Sequence, residues 1–259
     1  MPSRRLPNTM PAVLRCLKTA RDTYKATNAA ERAISAAQFA SLDDTVPTSL
    51  LNRILKEASD VDLAQAAQTP LTSQVSQTGA RLTMHVSHFH QVLDLGITRG
   101  YFAAGARAYY GRDVHGTSIP DLSNYTAVEE AAAKVMSGET ARAQAEGGNY
   151  RPMALPNVSE VATLAGQFNT LHTQSRNAQT NTDKQREEAQ ALYPEAQALA
   201  VDICDTVEFF YRKDPDASSR RQKCARWGVV YMFDAGETPD PGTPPGAVLT
   251  GPNTTPPVT

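Results

Sequence analysis

Apolar positions along this chain recur mostly at steps of three and four, the spacing of helices that bury one face. Val13, Leu17, Ala20 and Tyr24 step by four, three and four and predict a first helix. It starts after Asn8 or Thr9, takes Pro11 in its first turn and ends near Asn28. A second, alanine-rich helix is expected over residues 29–42, carrying Ile34 and Phe39, before Pro47 breaks the pattern. Leu51, Leu55 and Ala58 open a third, expected to stop at Thr69-Pro70 because a proline ring disfavours helix in the residue before it. Beyond it Leu82, Val86, Phe89, Leu93 and Ile97 form the most apolar stripe of the chain. Met84, Val92 and Leu95 widen that stripe toward a helix buried on more than one side.

The stretch from Tyr101 to Gly111 is aromatic and small, and residues 113–123 hold enough glycine and proline to read as an ordered loop. Thr126 and Glu129 have the spacing of a capping box and open a helix over about residues 127–146, which Gly147-Gly148 stops. Pro152 and Pro156 mark a linker, after which Ser159 is placed to cap a helix with Val161, Leu164, Phe168 and Leu171. Between Thr173 and Gln190 apolar residues nearly vanish without any glycine or proline, which leaves two forms open, a polar rod or a hairpin through a turn. Leu192, Ala196, Leu199, Ile203, Val207 and Phe210 then give the strongest helical periodicity, with Pro194 favouring a fresh start near Tyr193. Asp214-Pro215 ends it.

Trp227 to Phe233 (WGVVYMF) is a β-branched and aromatic run that reads as a strand. A single strand cannot satisfy its own backbone, so it must pair with another segment of this chain or with another copy; the amino-terminal arm or a neighbouring copy's strand is expected to do more of that pairing than the tail, whose prolines cannot donate. The expected fold is therefore mainly α: a multi-helix bundle with one long helical hairpin or rod, a short β element near the C-terminus and an irregular proline-rich tail. Its organisation is expected to be a basic arm over residues 1–9, a helical domain over 10–233 with a sub-boundary near 147–158, and a Pro/Gly/Thr-rich tail over 234–259 that buries too little apolar surface to offset its own ordering entropy.

A hydrophobic fraction of 41% across 259 residues is enough to build a core. The 25 basic and 27 acidic side chains leave no global field to gather nucleic acid, so that partner is not expected except at a local patch. No apolar run approaches the roughly 20 residues needed to span a bilayer, and Ser3-Arg4-Arg5 is followed by no apolar segment that would make it an export signal. A cytoplasmic location follows by default, with assembly outside the cell left open. Cys16, Cys204 and Cys224 are an odd number at wide spacing and read as reduced thiols.

Candidate chemistry is sparse. His85 and His88 are an i,i+3 pair able to offer two imidazoles to a transition metal, but no Glu-x-x-His motif supplies the remaining ligands, and no metal or other cofactor is expected. Arg220, Arg221, Lys223 and Arg226 form a basic cluster beside Trp227 and Tyr231, the best phosphate or nucleic-acid candidate. The same cations could instead neutralise Asp202, Asp205 and Glu208 on the preceding helix. Cys224, among these cations, has a better setting than Cys204 for a lowered thiol pKa. Phosphate loops, dinucleotide fingerprints and nucleophile elbows are lacking. The pattern thus points to a non-enzymatic structural or interaction protein that self-associates, into an oligomer or an extended assembly, through Arg4 and Arg5 of the arm, Arg220 and Arg221, and Trp227, Val229, Tyr231 and Phe233 of the strand.

Overall fold

A computed structural model describes residues 2–233 and 240. Strand β1 (Ser3–Arg5) leads into helix α1 (Met10–Ala26), whose early Pro11 has no amide hydrogen to leave unsatisfied. A 3-10 turn at Ala29–Glu31 precedes α2 (Ala36–Ala40). The expected single helix over 29–42 is thus divided. Ser35 starts afresh, because its hydroxyl accepts from the Gln38 amide while the Gln38 side chain accepts from the Ser35 amide. Buried Ala33 and Ile34 lie between the two pieces.

Helix α3 (Leu50–Thr98) does not stop at Pro70. The proline and Ala66, whose carbonyl it deprives of a donor, are both exposed, and buried Ala64 and Val75 anchor the helix on either side. Short α4 (Ala106–Tyr109) lies in the aromatic stretch, followed by α5 (Tyr125–Glu146). Here Asn124 is the cap, accepting from the Ala127 amide at 2.9 Å, and Thr126 falls inside the first turn. Likewise Asn157 rather than Ser159 caps α6 (Val158–Ala191): it accepts from the Glu160 amide, and its own amide donates to the Glu160 carboxylate. The polar stretch stays helical to Ala191, and after Leu192 alone α7 (Tyr193–Tyr211) begins, with Pro194 in its first turn. Residues 158–211 are the long helical element the pattern left in two forms.

Asp216 caps α8 (Ala217–Arg226), so the basic stretch is helical. Trp227 closes that helix, and Gly228, at φ +93°, turns the chain into β2 (Val230–Met232), shorter than the expected strand. A Cβ at Gly228 would sit 2.9 Å from the Cys16 carbonyl oxygen, so close approach to α1 also requires glycine there. β2 pairs antiparallel with β1, in the register Ser3 with Met232, Arg4 with Tyr231 and Arg5 with Val230.

Two compact units emerge. One takes the chain up to Asp62 and from Lys184 onward; the other is Leu63–Asp183. The first buries Val13, Leu17, Ala20, Leu42, Leu51, Ile203, Val207 and Trp227 in one cluster. The second buries Leu82, Val86, Phe89, Leu93, Tyr110, Val135, Val161 and Phe168 in another. Among the described residues no helix is long and apolar enough to cross a membrane. The tail expected at 234–259 lies, apart from Asp240, outside the described residues.

Candidate functional site

The cross-strand pair of the ribbon faces α7. Arg4 donates to Asp205 at 2.5 Å and to Glu208 at 3.0 Å, and the Tyr231 hydroxyl donates to Glu208 at 2.8 Å. The cations expected to neutralise these carboxylates lie elsewhere, and the arm takes their place. Asp202 accepts from the Gln38 amide group at 2.6 Å. On α8, Arg221 forks onto Asp240 at 2.7 and 2.9 Å, Lys223 donates to Asp214 at 2.6 Å, and Arg220 reaches the Asp214 carbonyl at 3.4 Å. Lys223 and the Ser219 hydroxyl hold the Asp214 carboxyl below its usual range. The basic cluster is therefore largely occupied by intramolecular acceptors. Trp227, Val229 and Phe233 are buried, with the indole N–H donating to the Tyr211 hydroxyl at 3.2 Å, while Arg5 remains exposed.

In the second unit His85 is half-buried, its Nδ1 2.8 Å from the Arg81 carbonyl oxygen, and His88 is exposed. Among the described residues no group of three or more His, Cys, Asp or Glu side chains is placed to hold a metal ion. The chemically unusual histidine is instead His90, fully buried against the rings of Phe89 and Tyr110 with no hydrogen-bond partner on either ring nitrogen. Burial first, and then the charge of Arg112, push its pKa down to about 4, against the pull of Asp94. Asp94 binds both Arg107, at 2.7 Å, and Arg112, at 3.1 and 2.8 Å. Burial alone would raise the Asp94 carboxyl, and the two guanidiniums hold it below its usual range.

A second polar cluster surrounds Glu139 on α5. Its carboxylate accepts from the hydroxyls of Tyr110 and Tyr150, from Arg142 at 2.9 Å and from the Met153 amide at 3.2 Å. Burial would lift this carboxyl, and the four donors overcome it and hold it low. Arg142 is wholly buried, its guanidinium carbon 4.8 Å from the ring centre of Phe102 and 5.0 Å from that of Tyr150. Its Nη1 lies 3.6 Å from Glu146, an ion pair without a hydrogen bond. A cleft of about 510 Å³ borders Tyr110, Arg112, Glu130 and Lys134. These clusters fix the ends of α4 and the turn after α5 and assemble no nucleophile with a base.

All three cysteines are free thiols, as read from the sequence, but Cys224 differs in its acidity. Burial pushes the Cys224 thiol up, so its cationic neighbourhood does not activate it. Cys16 on α1 and Cys204 on α7 are both buried, with their sulfurs 3.9 Å apart. His90 was legible as a member of the stripe, since it follows Val86 by four residues; the cysteine pair required knowing which helices pack together. No known protein family, curated protein or solved structure matches the chain.

Proposed function

We propose that this chain is a non-enzymatic helical interaction protein that self-associates. The observation that carries the reading is the second apolar face of α3. Met84, Val92 and Leu95, expected to be buried, are 46%, 37% and 46% exposed. At about 100° per residue they fall within about 80° of arc, about 140° from the centre of the core stripe of Leu82, Val86, Phe89 and Leu93. Single exposed apolar side chains are ordinary on a protein surface; three in one row on the side of the helix away from its core stripe form a face that a partner can cover.

The occupant is a second copy. The row is uncharged, spans about 16 Å of helix and carries exposed His88 at its middle. Set antiparallel on the same row of another copy, Met84 meets Leu95 and Leu95 meets Met84, the self-complementary arrangement of a two-fold dimer. The ribbon offers a second route, since β1 and β2 each have one edge with no strand beside it among the described residues. Three residues per edge give few main-chain bonds, so that contact ranks below the helical one. With β1 and β2 paired inside the chain, this reading puts the main self-contact on α3 rather than on the termini.

Sedimentation velocity and light scattering over a concentration series test this. The full chain is expected to show a concentration-dependent rise above monomer mass, and Met84→Glu with Leu95→Glu to return it to monomer with unchanged helical circular dichroism. A wild-type chain monomeric at its highest soluble concentration, or a double variant that assembles equally well, overturns the reading.

A further inference from the structure

Cys16 and Cys204 are separated by 188 positions in sequence, yet their Sγ atoms stand 3.9 Å apart. They are held there by helix packing. Cys16 shares its face with Val13, Leu17 and Ala20, Cys204 with Ala200, Ile203 and Val207, and all of these are buried in one cluster where α1 lies on α7. A disulfide needs the sulfurs about 2.0 Å apart. A gap of about 1.9 Å remains to be closed by rotation of the two side chains.

Cys16 is also one of the residues lining a cleft of about 250 Å³, together with Arg5, Pro7, Thr9, Arg15 and Gly228. That volume admits a small oxidant and excludes a folded partner. Arg15 on its wall lowers the Cys16 thiol.

We propose that Cys16 and Cys204 form a reversible dithiol that reacts with hydroperoxides, Cys16 as the attacking sulfur and Cys204 as the resolving one. The Cys16 thiolate attacks one peroxide oxygen; an S–O bond forms, the O–O bond breaks, and the departing hydroxide takes a proton to become water. Cys16 is then a sulfenic acid. The Cys204 sulfur gives up its proton and attacks the Cys16 sulfur, an S–S bond forms, the S–O bond breaks, and the second hydroxide leaves as water. Two thiols and one hydrogen peroxide become one disulfide and two waters, with two electrons passing from sulfur to oxygen. A small dithiol reductant reverses the change by exchange.

The order of the two sulfurs follows from their surroundings. Cys16, and not Cys204, borders the cleft beside Arg15; the sulfur–sulfur contact lowers the Cys16 thiol against the effect of burial, with Arg15 adding to it, and that contact and then burial raise Cys204. Cys224, raised by burial, has no such partner sulfur and serves as the internal control.

The reduced full-length protein is treated with one equivalent of hydrogen peroxide, quenched, unfolded and mapped by mass spectrometry. The intact mass is expected to fall by two hydrogens, with one cross-linked peptide joining Cys16 to Cys204, lost again on adding dithiothreitol. Cys204→Ala is expected to hold a dimedone-reactive sulfenic acid at Cys16, and Cys16→Ala to lose peroxide-dependent modification of residue 204. The wild-type map decides the matter even where a variant fails to fold. Free thiols at both positions after excess peroxide, a cross-link that involves Cys224, or first labelling at Cys204 overturns the proposal.

Discussion

Acidification isolates the contribution of His90. A histidine that titrates at about 4 in the folded chain and at about 6.5 in the unfolded one is neutral in both states above pH 6.5. There it adds no pH dependence. As the pH falls from 6.5 to 4 the unfolded chain takes up the proton and the folded chain does not, so stability declines by about 1.4 kcal/mol per pH step, about 3 kcal/mol over the window. The groups facing the ring agree with this sign: Arg112 opposes the proton, and Asp94, already bound by Arg107 and Arg112, only partly favours it. Glu139 and Asp94, whose carboxyls are lowered, contribute stability above the ordinary carboxylate range that is lost only as the pH falls through their depressed values. Their loss lies mostly below the His90 window. The perturbation is His90→Leu, which fits the apolar surroundings and removes two unpartnered nitrogens. Urea denaturation at intervals from pH 7.5 to 4.5 is expected to show the wild type losing about 2–3 kcal/mol by pH 4.5 while the variant stays nearly flat. A ring resonance assigned to His90 is expected to titrate near 4. Parallel stability curves for the two proteins, or a His90 ring titrating near 6.5, would refute the reasoning.

Two further outcomes follow from the same packing. Glu139→Gln takes from the wholly buried Arg142 the nearer of its two counter-charges, leaving Glu146 at 3.6 Å, and sets an amide donor against at least the Tyr110 hydroxyl, so a loss of about 3–5 kcal/mol in urea denaturation at pH 7 is expected, with partial recovery in the double variant Glu139→Gln, Arg142→Met. Pro70→Ala restores an amide donor to an exposed part of α3, and thermal unfolding is expected to show a gain of about 1–3 kcal/mol; unchanged or lowered stability would mean that the proline itself serves the packing of α3.

Helical content was legible because core faces repeat in the sequence. Val13, Leu17, Ala20 and Tyr24 are all buried as their steps predict, as are Ala196, Ile203 and Val207, whereas Phe210 at the end of that second row is exposed. Pro70 was read as a boundary because local sterics disfavour helix before it, and that penalty is outweighed by buried residues on both sides. The caps Asn124 and Asn157 were missed in favour of Thr126 and Ser159, since asparagine, serine and threonine share the same capping signal and only the register of the following helix separates them. Strand pairing was legible in part: backbone accounting required a partner for the Trp227–Phe233 run, the arm was one of the segments free of helical pattern that could supply it, and β1 does pair with β2; the ion pairs of Arg4 with Asp205 and Glu208 that hold the arm there follow from no local pattern. The polar clusters at Glu139 and Asp94 were invisible for the same reason. Arg107, Arg112, Arg142 and Glu139 look like solvated charges in the sequence, and only the convergence of α3, α4 and α5 places them inside.

The sequence order of the two units sets a timetable for synthesis. Every buried residue of the second unit's core, from Val75 to Phe168, has been translated by the time residue 183 is added. The first unit at that moment holds α1, α2 and the start of α3 but lacks Ala196, Ile203, Val207 and Trp227, against which they pack. At about 5–20 residues per second, the roughly 50 residues from 183 to 232 keep the amino-terminal segment waiting for about 2–10 seconds. During that interval Leu17 and Leu51 lack part of their shared core and Arg4 lacks its acceptors, so residues 3–62, made before the second unit, are completed only after it.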